Sequence, residues 1–464
     1  MKNKAAAIEI EKQEKLKAVF LLKIGQFLKD KILLYILYGF IFSYFYNLPV
    51  LKYSVKGDNE FRLYDILGVF LLYFYYKYHR VIDVIIKNVL VFKQLRLFLY
   101  WSSITLLMSL FFYILYDKLT GFLQVILYLY HFWVFYLSAV FFYVFCLDKK
   151  ILKTGIYLIL IFSIASCIVV ALQNLGMIDF LWNEVYRKGY HGFLSGTLGP
   201  NKIVLGMTSF FTFCLCLGVL LEKNITINRV VLYVCIIFNI YIIIVSGSRT
   251  TYLGLGIVLL YFAIKSPLRF VMVTSLFSFI LVVALSANPD LQKTLDDTLE
   301  QRIFSRVDIE KTEDAEVGEL YSDLGAGRDK LTLGNALYLL ENPQVIPFGA
   351  GFMNRFDDAP GLSAHNMYLQ VIKETGLVGF YLYFGWLVSY LFIKFDKYSG
   401  FSLALNGLVL AMLVTLFFGE HLYIYRPLFG ILGFFLMVTS IFVAALHKID
   451  ISELNLNTKS QKNE

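Results

Sequence analysis

The chain has 464 residues, of which 58% are hydrophobic and only 16% charged, and its mean hydropathy is +0.67. A soluble domain carries about a quarter charged residues, so this composition excludes a soluble enzyme and predicts an integral membrane protein. The formal charge of +8 arises from basic residues in short loops on alternate sides of the apolar segments, a pattern that sets membrane orientation and argues against nucleic-acid binding. All five cysteines lie in or beside apolar segments, so we expect neither disulfide bonds nor a thiolate metal site.

Residues 1–31 form a basic segment ahead of the first apolar span. Leu16, Phe20, Ile24 and Phe27 share one helical face among eight lysines, which predicts an amphipathic helix on the cytoplasmic surface. A solvated, flexible tail is the alternative interpretation. No small-residue cleavage site follows the first span, so we expect no removable signal peptide.

Apolar windows predict an all-α, polytopic fold with about twelve transmembrane helices. The predicted spans lie at 32–49, 63–78, 97–116, 122–147, 155–174, 203–221, 230–245, 251–264, 270–287, 376–393, 401–418 and 428–446. The first nine fill residues 32–287, the last three fill residues 376–446, and residues 447–464 form a tail. Lysine and arginine are concentrated in the loops on the side that holds both termini, so that side is predicted to be the cytoplasm.

One long polar segment, residues 288–375, interrupts the spans on the opposite, extracytoplasmic side. It holds polar and glycine-rich motifs that the spans lack: Gly-Ala-Gly-Arg-Asp-Lys (325–330), Asn-Pro (342–343), Phe-Gly-Ala-Gly-Phe (348–352) and Ala-His-Asn-Met-Tyr-Leu-Gln (364–370). A membrane protein with its reactive groups in one outer loop suits an enzyme that acts on a membrane-bound substrate. We therefore expect the active site in this loop.

Arg249 is the first candidate ligand-binding residue. It follows Ser246-Gly-Ser at the turn between the seventh and eighth predicted spans, which form a hairpin with its tip at the outer membrane boundary. A charge at that depth needs an anionic partner, which a lipid-linked phosphate would supply. The alternative is an anchor to lipid headgroups, although orientation signals belong on the cytoplasmic side.

Arg328 is the second candidate cation, in Gly325-Ala-Gly327-Arg328. Glycines let the backbone approach a ligand, and a guanidinium can hold two phosphate oxygens at once, so Arg249 and Arg328 together suit a diphosphate. The alternative is a helix-entry turn in which Arg328 pairs with Asp329 or Asp323.

His365 is the only histidine in the polar loop and one of six in the chain. Because imidazole exchanges protons near neutral pH, we interpret His365 as the general base that takes the proton from an attacking sugar hydroxyl. A role in capping the next helix or in bonding the loop backbone is the alternative. Further candidate substrate contacts, for each of which packing or helix capping is the alternative, are Asn201, Asn366, Gln370, Glu374 and Arg426.

The sequence predicts neither a metal nor a cofactor. No cluster of carboxylates has the spacing of metal ligands, and arginines can themselves stabilise a diphosphate leaving group. From the third span to the twelfth, no acidic or basic residue stands in the middle of an apolar stretch. That pattern argues against an ion-driven carrier.

In order and spacing, these motifs resemble the C-terminal signature of a bacterial family, the O-antigen ligase and Wzy-type O-antigen polymerase superfamily. The resemblance is carried by Ser246-Gly-Ser-Arg249, Gly327-Arg328-x-x-Leu331 with Asn335-Ala336, Asn342-Pro343, Gly349-Ala-Gly351-Phe352 and His365-Asn366-x-Tyr368-Leu369-Gln370-x-x-x-Glu374-x-Gly376-x-x-Gly379. It covers residues 195–395, and in the N-terminal third only the pattern of spans agrees.

The resemblance implies a GT-C-type glycosyltransferase of the bacterial inner membrane, with both termini in the cytoplasm and the active site on the outer face. Its donor would be an undecaprenyl-diphosphate-linked oligosaccharide, with Arg249 and Arg328 holding the diphosphate and His365 activating the acceptor hydroxyl. Transfer would invert the anomeric carbon without a metal. Membrane lipids, a chain-length regulator and a flippase would be its partners.

Within that family we expect a polymerase, which transfers the lipid-linked glycan onto the next lipid-linked repeat unit of an O-antigen, capsule or exopolysaccharide. The reason is that polymerases should outnumber ligases among such sequences. The O-antigen ligase, which passes the same donor to lipid A-core or another acceptor, is the alternative, because the motifs do not separate the two. A flippase or transporter shares the twelve-span plan but would be expected to show inverted repeats, interrupted helices and midplane charges.

Overall fold

A computed structural model describes residues 25–52, 60–115, 119–182, 195–199, 201–222, 225–271, 328–354, 364–393, 399–423 and 429–446, with a few single positions between 274 and 286. The described helices are α1 (Lys31–Phe45), α2 (Leu63–Asn88), α3 (Leu90–Leu115), α4 (Leu119–Cys146), α5 (Lys149–Asn174), α6 (Lys202–Leu221), α7 (Arg229–Ser246), α8 (Arg249–Lys265), α9 (Arg328–Glu341), α10 (Val345–Phe348), α11 (Met367–Ser389), α12 (Gly400–Thr415) and α13 (Phe429–Leu446). Short 3₁₀ turns follow α11 and α12, and two strands of two residues each, β1 (Leu51–Lys52) and β2 (Glu60–Phe61), pair antiparallel.

The helices confirm an all-α, polytopic membrane protein. Among the described residues, seven helices are long and apolar enough to cross a membrane, namely α3 to α7 and, with their 3₁₀ extensions, α11 and α12. Two shorter apolar helices, α1 and α13, accompany them. The count of twelve spans remains a prediction, as does the sidedness of the loops.

Polar residues at the ends of the predicted spans determine where several helices begin. The side chain of Asn201 accepts a 2.8 Å hydrogen bond from the amide of Ile203 and starts α6. Asp148 and Asn228 start α5 and α7 in the same way. These side chains satisfy amide groups that have no carbonyl partner in the first turn of a helix.

The second helix is longer than its apolar stretch indicates. The sequence predicts a span over 63–78 and a basic loop up to Arg96, whereas α2 continues to Asn88 and only Val89 separates it from α3. Buried side chains continue along this extension, at Val81, Ile82 and Ile86. The apolar face therefore persists although the opposite face is charged, and the helix continues with it.

The end of the N-terminal basic segment packs into the bundle. Residues 1–24 lie outside the described part of the chain, but Phe27 is fully buried, and its ring contacts the rings of Tyr78, Phe141 and Phe145 at centroid distances of 5.1, 5.6 and 4.9 Å. Phe27 was expected on a face lying on the membrane surface. The fully buried ring instead connects this segment to α2 and α4.

The core of the bundle lies around α6 and α13. The apolar window of α6 is 89% buried, the highest share among the seven long helices, whereas that of α3 is 33% buried. α13 packs against α4 and α6. This arrangement leaves α3 on the periphery, where it is available to the polar segment that precedes α11.

Candidate functional site

The polar segment that the sequence assigns to the outer loop has two described parts, residues 328–354 and 364–375. The first contains α9, α10 and a turn at 349–354, and the second leads into α11 at Met367. α11 continues past the predicted boundary at Thr375, but Gly376 has φ 69° and ψ −173°, which breaks the helical geometry there. The boundary is thus a kink within one continuous element.

The turn at 349–354 pairs with the backbone that this kink exposes. The amide of Ala350 donates to the carbonyl of Lys373 at 2.8 Å, and the amide of Gly351 donates to that of Glu374 at 3.0 Å. The indole N–H of Trp101, in α3, donates to the carbonyl of Thr375 at 2.7 Å. A kink removes the intrahelical partners of these carbonyls, and the turn and α3 replace them.

Glycine is required where the turn approaches α11. A Cβ atom added at Gly349 would lie 2.3 Å from the carbonyl oxygen of Glu374, and Gly349 has φ 83°. No other residue fits this backbone contact without displacing it. The Gly-Ala-Gly motif therefore has a defined structural role in joining α10 to α11.

Glu374 lies at the centre of this arrangement and is fully buried. Its carboxylate accepts hydrogen bonds from Nε2 of Gln370 at 2.5 Å, from the amide of Met353 at 3.0 Å and from the hydroxyl of Tyr423 at 2.7 Å. One side chain thereby connects α11, the 349–354 turn and the segment after α12. Tyr423 lies in a short apolar run between predicted spans and carries no sequence signal for this role.

His365 lies at a sharp turn just before α11. Its φ is 49°, it is half-buried, and the residues on either side of it are held by hydrogen bonds. The amide of Ala364 donates to Oε1 of Gln370 at 3.1 Å, and its carbonyl accepts from the hydroxyl of Thr332 at 3.1 Å. Asn366 caps α11 by accepting from the amides of the second and third residues of the helix.

Arg328 begins α9, one helical turn before Thr332. Because the hydroxyl of Thr332 bonds to the residue next to His365, the structure brings the start of α9 beside the His365 turn. The side chain of Arg328 lies outside the described part of the chain, as does Arg426.

Arg249 begins α8 and is half-buried. The turn before it contains Gly247 in the left-handed conformation, with φ 58°, and Ser246, whose hydroxyl accepts from the amide of Ser248 at 3.3 Å. The hydroxyl of Thr251 also donates to that of Ser248 at 2.9 Å. A hydrogen-bonded turn thus joins α7 and α8.

The last turn of α12 contacts both α8 and the first turn of α11. The hydroxyl of Tyr368, in the first turn of α11, donates to the carbonyl of Leu413 at 2.6 Å. In the same turn of α12, Cγ2 of Thr415 would lie 3.6 Å from a Cβ atom at Gly254 of α8. Arg249 and His365 therefore belong to the same end of the bundle, which we call the site end.

Asn201 also belongs to the site end, because its helix packs against the Arg249 turn. A Cβ atom at Gly206 of α6 would lie 2.4 Å from the hydroxyl of Thr251 and 3.0 Å from that of Ser246. The side chain of Asn201 is engaged in capping α6. Its role as a substrate contact remains a prediction.

Sequence reasoning missed Lys373 and the buried pair of His131 and Asp65. Lys373 is buried, and its ammonium group donates to Oδ1 of Asn335 at 3.2 Å and lies 5.5 Å from the ring centroid of Tyr338. Nε2 of His131 is hydrogen-bonded to Oδ1 of Asp65, and both side chains are buried. Lys373 was assigned to an outer loop, and His131 stands alone in an apolar stretch that a search for acidic and basic residues passes over.

Among the residues that the structure describes, no three histidine, cysteine, aspartate or glutamate side chains are grouped as metal ligands would be. Comparisons with family models, with curated proteins and with solved structures give no match to this chain.

Proposed function

We propose that this protein is a metal-independent, inverting glycosyltransferase of the bacterial inner membrane with a GT-C-like fold, similar to the O-antigen ligase and polymerase superfamily. Specifically, it acts as a polysaccharide polymerase. It transfers an undecaprenyl-diphosphate-linked glycan onto the next lipid-linked repeat unit, with both termini in the cytoplasm and the reaction on the opposite face. A flippase delivers its substrate and a chain-length regulator limits its product.

The observation that carries the proposal is that α8, which begins at Arg249, and Tyr368, three residues after His365, both contact the last turn of α12, while Thr332 of α9 bonds to the residue before His365. Residues far apart in the sequence thus lie at one end of a membrane-embedded bundle. The same residues carry the sequence motifs. A site at the end of a helical bundle suits a lipid whose polar headgroup reacts while its chain stays in the bilayer.

In the proposed reaction, Arg249 and Arg328 bind the diphosphate of the donor. His365 accepts the proton of a sugar hydroxyl on the acceptor, and the hydroxyl oxygen attacks the anomeric carbon of the donor from the face opposite the diphosphate. The bond between that carbon and the diphosphate oxygen breaks, and undecaprenyl diphosphate leaves with the electron pair. The guanidinium groups stabilise the charge that develops on the leaving group.

The proposal is tested with purified protein in lipid nanodiscs and a defined undecaprenyl-diphosphate-linked repeat unit. The wild-type protein is expected to form products of two or more repeats, and His365→Ala is expected to form none while binding the donor within about twofold of wild type, because a base contributes to the transition state. His79→Ala is the matched control, since His79 is exposed on α2 and stands outside the proposed site. Product formation by His365→Ala at normal expression would remove the assignment of the base.

Deleting the gene and sizing the surface glycan separates polymerase from ligase. Capped single repeats are expected for a polymerase, whereas accumulated long lipid-linked polymer would identify a ligase and overturn the choice made here. A transport assay addresses the carrier alternative. Glycolipid translocation unaffected by His365→Ala, Arg249→Ala and Arg328→Ala would support a flippase instead.

A further inference from the structure

Glu374 connects to His365 through a chain of buried hydrogen bonds. Its Oε1 accepts from Nε2 of Gln370, and Oε1 of Gln370 accepts from the amide of Ala364, the residue before His365. Glu374, Gln370 and Ala364 are each at most 1% exposed. Water cannot replace these bonds, so the identity of each donor and acceptor matters.

We propose that Glu374 is a positioning residue for His365, and that it acts by fixing the orientation of the Gln370 amide. The inference rests on the proposed function for the role of His365 as the base. Glu374 was considered as a substrate contact from the sequence, but its side chain is fully buried and both carboxylate oxygens bind protein donors. It therefore acts on the reaction through its neighbours.

Two protein donors fix the orientation of the Glu374 carboxylate. Oε2 of Glu374 accepts from both the amide of Met353 and the hydroxyl of Tyr423. These two donors come from different segments, and both bind Oε2. Oε1 is therefore the oxygen that accepts a hydrogen bond from Gln370.

The carboxylate in turn determines which end of the Gln370 amide faces it. A glutamine amide has a donor end and an acceptor end, and a carboxylate can accept only, so Nε2 must face Glu374. Oε1 of Gln370 must then face the amide of Ala364. If residue 374 carried its own NH₂ group, the Gln370 amide would meet a donor at one end or the other.

The hydrogen bond from Ala364 to Gln370 helps to hold the backbone conformation of His365. A φ of 49° in a residue other than glycine is uncommon and costs about 1 kcal/mol or more, so it persists only where neighbouring contacts enforce it. Bonds to the amide and the carbonyl of Ala364 hold one side of the turn, and the Asn366 cap holds the other. Glu374 thereby determines where the imidazole stands.

The test compares Glu374→Gln with a double variant in which Glu374 and Gln370 are exchanged, which we call the reversed pair. Glu374→Gln alone places two NH₂ groups against each other or against Ala364, whereas Gln370→Glu combined with Glu374→Gln re-forms every bond. In the double variant, the amide oxygen now at position 374 accepts from Met353 and Tyr423. The NH₂ group at that position donates to the carboxylate now at position 370, whose second oxygen accepts from Ala364. We expect Glu374→Gln to lower kcat by about tenfold to 100-fold, with the KM for the donor nearly unchanged, and the double variant to recover most of the loss.

Tyr390→Phe is the matched control. It removes a buried hydrogen bond between Tyr390 and Thr439, at 2.9 Å, and leaves the hydrogen bonds of Glu374 and Gln370 intact. We expect this variant to keep kcat within about threefold of wild type, because it removes a hydrogen bond outside the chain from Glu374 to Ala364. A loss as large as that of Glu374→Gln, without recovery in the reversed pair, would assign Glu374 a general packing role and overturn the proposal.

A second measurement does not depend on transfer activity. Carbethoxylation of His365 by diethyl pyrocarbonate is followed by peptide mass spectrometry in nanodiscs, with the exposed His79 as internal standard. We expect the relative rate at His365 to change by about threefold or more in Glu374→Gln and to return to the wild-type value in the reversed pair. An unchanged rate in folded Glu374→Gln overturns the inference even if the protein proves to be a polymerase.

The labelling result also separates this inference from the proposed function. If the wild-type protein transfers no glycan, the proposed function fails while the labelling still reports on the hydrogen-bond chain. If Glu374→Gln does not fold, the reversed pair carries the test by itself. Altered labelling or failed folding of that double variant then overturns the inference.

Discussion

The hydroxyl of Ser109, in helix α3, donates a 2.6 Å hydrogen bond to the carbonyl oxygen of Phe352, in the polar segment between the predicted spans. Both residues are fully buried. Together with the bond from Trp101 to Thr375, this contact fastens the end of the polar segment to the side of α3. The residues around the candidate site are therefore packed against a helix of the bundle, and their positions depend on it.

This contact makes Gly351 intolerant of a side chain. A Cβ atom there would lie 2.4 Å from the hydroxyl oxygen of Ser109 and 2.6 Å from its amide nitrogen, and φ is 114°, a conformation that favours glycine. We expect Gly351→Ala to destabilise the protein by about 2 kcal/mol or more and to abolish transfer. Thermal unfolding in detergent, followed by fluorescence size exclusion, measures the first effect.

Gly385→Ala is the control for that experiment. Gly385 lies within α11, and a Cβ atom there would meet nothing within 4 Å. Alanine is favoured over glycine in a helix by about 1 kcal/mol, so this variant is expected to be as stable as wild type or more so. Equal melting temperatures for the two variants would show that the approach to Ser109 is not tight.

The sequence predicted the helical, membrane-embedded character of the chain because long apolar runs allow no other structure in a bilayer. It also predicted the break between two helices just before Arg249, since Ser-Gly-Ser interrupts such a run. It could not predict that Glu374 is buried. Burial of a carboxylate depends on donors such as Tyr423 and Met353, which approach it from other segments and leave no local pattern.

The ends of α2 and the start of α11 differ from prediction for a related reason. Hydropathy marks where the chain is apolar, whereas a helix continues for as long as one face is buried and its amides are bonded. Val81, Ile82 and Ile86 satisfy that condition on the buried side of α2. Met367–Thr375 satisfy it because α3, α9 and α10 enclose them.

Arg249 gives a direct test of diphosphate binding. Arg249→Ala is expected to lower kcat/KM for the lipid-linked donor by about 100-fold or more, because a charge-assisted contact with the leaving group is lost. Arg249→Lys keeps the charge but cannot form the bidentate hydrogen bonds of a guanidinium, so we expect a smaller decrease in kcat/KM than for Arg249→Ala. Lys265→Ala, which removes an exposed cation from the last turn of the same helix, should have almost no effect. Equal activity of the Arg249→Ala and Lys265→Ala variants would exclude Arg249 from the site.

Asp30 predicts a dependence of stability on pH. Burial by itself raises the pKa of Asp30, but hydrogen bonds from Lys77 at 3.0 Å, Tyr78 at 2.9 Å and the amide of Leu33 at 3.3 Å bring it below the ordinary 3.8. A lowered pKa means that the carboxylate stabilises the fold above pH 3.8 and loses this contribution as the pH falls through the lower, folded value.

We therefore expect Asp30→Asn to lower the melting temperature at pH 7 and the difference from wild type to shrink below pH 3.8. The effect should be about 1 kcal/mol or less, because the side chain of Lys77 is 45% exposed to solvent screening. Lys31→Ala, at an exposed cation next to Asp30, serves as the control. A difference that grows as the pH falls would contradict the assigned direction of the shift.

The buried contact between Asp65 and His131 predicts a large effect on stability. Both side chains are at most 4% exposed, and Asp65 also accepts from the amide of Arg62 at 2.7 Å, at the start of α2. Removing the imidazole leaves a buried carboxylate without one of its hydrogen-bond partners, which costs about 1 to 3 kcal/mol or more. We expect His131→Ala to lower the melting temperature strongly, and His131→Gln, which keeps a donor, to lower it by less than half as much.

His79→Ala is the control for this pair as well, because it removes an exposed imidazole from the same group of helices. The effect of His131 should also reach the candidate site. The next residue, Phe132, packs its ring 6.1 Å from that of Tyr423, whose hydroxyl binds Glu374. In folded His131→Gln, the rate of glycan transfer is thus expected to fall even where stability is largely retained. A wild-type rate in that variant would show that α4 does not connect the pair of Asp65 and His131 to Glu374.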